Sequence, residues 1–210
     1  MTYGWARDYA LELIHQYSIM GTEIQLSYNN QADYVRRIPK LVDDAQHYIA
    51  TTKRKIRQIM PLDQLDYVDR GDWREYRLPW NCWQVSSAGL IRYNGPRLQR
   101  FHRYHLLGGD RLALPLSMVG EPLSLEYYRL PSRIGDDPPD GAELDNSVDA
   151  QQAVPFYVAA HLVMLDNSFA YQALYNEFSD KLSLLGEQPQ AEPEVVEDSY
   201  DPAEWDYDGY

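Results

Sequence analysis

The sequence predicts an α+β chain. Two N-terminal and two C-terminal helices form a four-helix bundle, an antiparallel β-sandwich or barrel module is inserted between them, and an extended acidic C-terminal tail follows. Three observations lead there. Residues 33–60 (DYVRRIPKLVDDAQHYIATTKRKIRQIM) hold helical spacing. Residues 62–131 turn to β-favouring residues, with turn signals roughly every ten positions. Residues 188–210 carry Glu192, Glu194, Glu197, Asp198, Asp201, Glu204, Asp206 and Asp208 and no Lys or Arg. The resulting segments are 1–61 (first part of the bundle), 62–131 (β module), 132–148 (acidic loop), 149–187 (second part of the bundle) and 188–210 (tail).

The first helix covers residues 6–17, with Leu11, Leu13 and Ile14 facing inward, and Gly21 and Thr22 end it. Polar turn residues over 27–33 include Asn30 as a helix cap. The second helix places apolar or small residues at Tyr34, Ile38, Leu41, Ala45, Ile49, Thr52, Ile56 and Ile59. Arg36, Arg37, Asp43, Asp44, Lys53, Lys55 and Arg57 fall on the other face. This helix is expected to reach Met60, where Pro61 stops it; Pro39 either kinks it or marks its true start.

Strands are expected near 74–78, 81–86, 89–93, 97–106, 111–116 and 123–129. Turns separate them at Arg70-Gly71-Asp72, Ser86 to Gly89, Asn94-Gly95-Pro96, Gly108-Gly109-Asp110 and Gly120-Glu121-Pro122. Asp149 is a cap for a helix over 150–165. Asn167 or Ser168 caps a last helix to Leu185, on which Tyr171, Leu174, Phe178, Leu182 and Leu185 keep helical spacing before Gly186.

Net charge is −13, and the tail supplies most of it. A second acidic run, from Asp136 to Asp149, holds six carboxylates and no base. This charge disfavours gripping nucleic acid with a basic face. Cys82 is the single cysteine, so no disulfide forms within the chain and a reducing cytoplasm suits it. No membrane span and no signal peptide are expected. Eighteen tyrosines, with 5 Trp and 4 Phe, suit half-wet interfaces, or simply a tyrosine-rich core.

Candidate partner-binding groups lie in two places. Tyr200, Trp205, Tyr207 and Tyr210 stand among carboxylates and read as aromatic anchors of a docking peptide, or as part of a solvated tail. Lys53, Arg54 and Arg57, with Lys55, Arg92, Arg97, Arg100 and Arg103, can meet an acidic neighbour, or face water. His102 and His105 lack the further ligands a metal needs, so no metal or other cofactor is expected. Gly108-Gly109-Asp110 lacks the Lys and Ser/Thr of a phosphate loop, and no G-x-S-x-G elbow occurs, so enzymatic activity is not expected.

Three segments carry a family resemblance by their order. ALELIHQYSIMGTEI (10–24) and ADYVRRIPKLVDDAQHYIATTKRKI (32–56, with Ala45-Gln46-His47-Tyr48-Ile49-Ala50) precede YRLPWNCWQV (76–85). Together with 154–182 at the C-terminal end, they resemble tailed-phage head–tail connector (adaptor) proteins. The acidic tail has no counterpart in that pattern. The resemblance implies a structural virion protein of the neck, assembled in the host cytoplasm. Such a subunit joins a homo-oligomeric, twelve-fold ring beneath the portal protein and offers a platform to a downstream tail or neck protein. DNA passes through its lumen without specific binding, and no membrane is involved. A ring repeats one heterologous interface, so each subunit needs two different adhesive faces. Two other readings compete: an acidic interaction protein that mimics DNA or inhibits a host factor, and a hydrolase with a non-obvious site.

Overall fold

The computed structural model describes residues 1–19, 28–94, 97–186 and 196–198. Helices α1 (Tyr3–Ile19) and α2 (Tyr28–Thr52) come first. Strands β1 (Ile56–Pro61), β2 (Tyr67–Arg70), β3 (Trp73–Arg77), β4 (Cys82–Asn94), β5 (Arg97–Phe101), β6 (His105–Leu107), β7 (Arg111–Pro115) and β8 (Leu123–Arg129) follow. Helices α3 (Val148–Gln151), α4 (Val154–Val163) and α5 (Ser168–Leu184) come next, then a short strand, β9 (Val196–Asp198). The chain is mixed α+β, as its sequence predicts. It divides into two units, Met1–Ile56 with Leu130–Gln188, and Arg57–Arg129 with Pro189–Tyr210.

In the first unit, α4 (VPFYVAAHLV) is apolar on almost every side, and a helix of that composition must be covered all round. It packs against α1, α2 and α5. Ala6, Ala10, Leu13 and Ile14 of α1, Tyr34, Ile38, Val42, Ala45 and Ile49 of α2, and Ala170, Leu174, Phe178 and Leu182 of α5 close one core with it. Asn167 caps α5 by accepting the Ala170 amide at 3.0 Å.

The acidic loop is held to this unit by carboxylate and amide side chains. Asp43 Oδ1 accepts the Ile134 amide at 2.9 Å, and Gln46, 0% exposed, accepts the Asp145 amide at 2.6 Å. Gln151 donates to the Leu144 carbonyl and accepts from the Met1 ammonium, each at 2.8 Å. Burial pushes the Asp43 carboxyl above its usual range, with the Ile134 amide opposing.

The second unit holds two sheets. One runs β1-β8-β4-β5-β9, antiparallel at its β8-β4-β5 centre with β9 parallel to β5; the other is antiparallel in the order β2-β3-β7-β6. Tyr76, Leu112 and Leu114 from one sheet and Leu90, Phe101, Leu123, Leu125 and Tyr127 from the other form a single apolar cluster, joined by Leu62, Leu65 and Leu78.

Several boundaries correct the sequence reading. The second helix stops at Thr52, not Met60. The Lys53 and Arg54 amides both turn back to the Ile49 carbonyl at 2.9 Å, and the Thr51 and Thr52 hydroxyls bond the carbonyls of His47 and Tyr48 at 2.8 and 2.6 Å. Beyond that, Ile56, Gln58 and Met60 are half-buried while Arg57, Ile59 and Pro61 are exposed, a two-residue period that the three-residue step from Ile56 to Ile59 conceals. Asn30 lies inside α2 rather than before it. The helix expected over 150–165 is two, α3 and α4, because Pro155 has no amide to continue the ladder; Asp149 sits in the first turn of α3, after Ser147 as its cap position.

Residues 81–86 and 89–93 belong to one strand, β4, and the turn expected between them is a bulge where the register against β8 shifts from Val85 to Leu90. Gly89 makes the bulge possible: its φ is +59°, and a Cβ there would lie 1.8 Å from Tyr104 Oη. The strand expected over 97–106 is split between β5 and β6, and β1 and β2 were not anticipated.

Candidate functional site

Two of the basic groups that follow α2, Arg54 and Arg57, are paired inside the chain. Arg54, with its side chain 12% exposed, reaches Asp149 Oδ2 through Nη2 at 2.7 Å and Nε at 3.2 Å. A hydrogen bond from Ser147 and the Arg54 guanidinium hold the Asp149 carboxyl below its usual range. Arg57 pairs with the buried Glu126, whose other oxygen accepts from Ser86 Oγ at 2.8 Å; Ser86 Oγ in turn accepts the Ala88 and Gly89 amides at 3.2 and 3.3 Å. This chain of bonds satisfies a buried carboxylate beside the bulge. Lys53 and Arg54 belong to the helical unit and Arg57 to the β unit, and Lys53 is exposed. Arg92 is likewise engaged, with Gln99 at 2.9 Å and Glu121 at 3.3 Å. Tyr200, Trp205, Tyr207 and Tyr210 lie outside the described residues.

Large aromatic and aliphatic side chains are exposed on both units. Register fixes which residues share the outer face of the β2-β3-β7-β6 sheet. The row Tyr67, Tyr76, Leu112 and Leu106 includes two core residues, so the flanking rows face away from that core. Those rows, and the row of Arg70, Trp73 and Pro115 on the same face, carry Val68, Trp73, His105 and Leu107, all exposed, beside the Glu75–Arg111 pair at 3.2 Å. Trp73 and His105 rings lie 5.2 Å apart, so His105 packs on an aromatic face rather than with a ligand set. Trp80, 90% exposed, stands on the β3–β4 turn that the Cys82 amide closes onto the Pro79 carbonyl at 2.8 Å.

On the helical unit, His161 stacks on Tyr157 at 4.0 Å and meets the edges of Tyr171 and Tyr175 at 6.0 and 6.1 Å. The Tyr157 carbonyl, which can only accept, receives a hydrogen bond from His161 Nδ1–H at 2.8 Å, which places the proton on Nδ1. Tyr48 extends the cluster to Phe178 at 5.7 Å. Burial pushes the Tyr157 and Tyr175 hydroxyls upward. Leu165, 82% exposed, and Phe169, 79% exposed, stand at the α4–α5 connection, where Tyr34 donates to Asp166.

The tyrosines divide by burial. Tyr3, Tyr34, Tyr76 and Tyr127 are core, whereas Tyr157, Tyr171 and Tyr175 are half-wet. Sequence reasoning missed Trp80, Trp73, Val68, Leu165 and Phe169 as surface groups. For the first, the Leu78-Pro79-Trp80-Asn81 turn was the available signal, since a tryptophan beside a turn proline has little core to enter.

Among the described residues, no group of three or more His, Cys, Asp or Glu side chains is placed to hold a metal ion, and no helix is long and apolar enough to cross a membrane. No protein-family model matches the chain, and no curated protein sequence matches it.

Proposed function

We propose that the chain is a head–tail connector subunit of a tailed phage: a structural virion protein that forms a twelve-fold ring under the portal, extends the DNA channel and joins capsid to tail. In this reading α1, α2, α4 and α5 act as the four-helix bundle and the two-sheet unit as the β-sandwich module inserted into it. The observation that carries the reading is the organisation of the chain. Helices from both ends share one core while the β unit is an insertion, in the motif order that resembles the connector family. Aromatic and aliphatic groups exposed on both units supply the kind of surface a closed ring requires, where one subunit offers two different faces. The internal pairing of Arg54 and Arg57 also suits a conduit, since these cations are neutralised rather than offered to phosphates.

Purified particles and the free protein are to be weighed by native mass spectrometry, with image averaging of the particle neck. A monomer in solution that appears as a twelve-fold ring in particles is the expected result. A protein absent from particles, or a stable dimer bound to a host protein, discards the reading in favour of an acidic inhibitor.

A further inference from the structure

The five-stranded sheet ends on an addition from a distant part of the sequence. β5 is the second strand of the β4–β5 hairpin, and its outer side takes β9 in parallel, with Leu98 opposite Val196, Gln99 opposite Glu197 and Arg100 opposite Asp198. Without that addition β5 is an edge, with a row of backbone donors and acceptors open to any extended segment. Residue types favour one kind of segment. Arg97 and Arg100 lie on β5 and Arg103 follows it, whereas residues 188–210 contain eight carboxylates and no base. In the register Arg100 stands opposite Asp198, and since like charges facing across a ladder are unfavourable and opposite charges favourable, the edge favours acidic strands over basic ones.

We propose that the outer edge of β5 is a binding site for an extended acidic peptide, occupied in this chain by its own residues 196–198. The backbone ladder supplies affinity, and Arg100, with the further basic charge of Arg97 and Arg103 nearby in the chain, favours carboxylates. Attachment in the same chain gives the tail a high effective concentration, so it closes the edge against acidic strands from outside. The site is a property of the β unit and does not depend on ring assembly.

The test uses the full chain and its Glu197→Pro variant, in which β9 loses a backbone donor. Hydrogen exchange at the amides of residues 98–100 is expected to accelerate about tenfold or more in the variant while β8 amides keep their protection. A labelled peptide covering residues 188–210 is expected to bind the variant about tenfold more tightly than the unaltered chain, whose own tail competes. The same peptide with Gln and Asn in place of its carboxylates is expected to bind about tenfold more weakly than the acidic one. Unchanged exchange at 98–100, equal peptide binding by both chains, or equal binding of the acidic and amide peptides overturns the proposal. Because none of these readouts involves particles, failure here and failure of the connector reading are separable.

Discussion

Among the described glycines, Gly89 has the least room for a side chain. Alanine there must adopt a left-handed backbone and place its Cβ 1.8 Å from Tyr104 Oη and 2.7 Å from Cζ. The conformation costs about 1–2 kcal/mol and the overlap about 1–3 more, so Gly89→Ala is expected to destabilise by roughly 2–5 kcal/mol in chemical denaturation. Combining it with Tyr104→Ala removes the overlap, and the double variant should lose less than the two single losses added. Asp149 gives a pH signature instead. Its folded carboxyl is held low by Ser147 and Arg54, so the stabilisation is complete above the ordinary carboxylate value of about 4 and is lost as pH falls through the lower folded value. The difference in melting temperature between the unaltered chain and Asp149→Asn should be constant from about pH 8 to 5 and shrink below about pH 4. It should also be small, because the carboxylate is half exposed.

At the scale of elements, α5 was the most legible. Asn167 before an uninterrupted 3.6-residue pattern marks both its start and its buried face, and the structure places Leu174, Phe178 and Leu182 in the core. Asn167→Ala removes the acceptor for the Ala170 amide and is expected to cost about 1 kcal/mol, whereas Asn167→Asp should cost far less; urea midpoints distinguish them. Where elements were misread, two periods competed over the same residues. Ile56 and Ile59 extend the stripe of α2 on paper, yet the backbone has already closed on Ile49, and alternation decides the strand β1. The Ser86 to Gly89 stretch has turn composition because a bulge needs the same left-handed glycine that a turn does, so composition alone cannot separate them. Gln46 was hidden for another reason. A glutamine on a helix stripe looks like an interruption until the loop amide it accepts, almost a hundred positions away in the chain, is known.

For the molecule as a whole, the helix–strand–helix order was readable because β-favouring residues and turn signals fill 62–131, bounds that fall within a few residues of the places where the chain passes between its two units. The exposure of Phe169 was not readable, since it depends on which neighbours the fold supplies. The division into two cores has a thermodynamic consequence. Ile38 belongs to the core of the helical unit and Leu125 to that of the β unit. Truncating either to alanine removes buried methyl groups and leaves a cavity, for about 2–5 kcal/mol in the unit concerned. A chain with two separate cores is a case in which single-step unfolding is not guaranteed. Calorimetry of the intact protein should therefore resolve two transitions, one lowered by Ile38→Ala and the other by Leu125→Ala. Hydrogen exchange should assign the first to α1, α2, α4 and α5 and the second to β3, β4, β7 and β8. One shared transition lowered equally by both substitutions would instead mean that the two cores unfold as a single cooperative body.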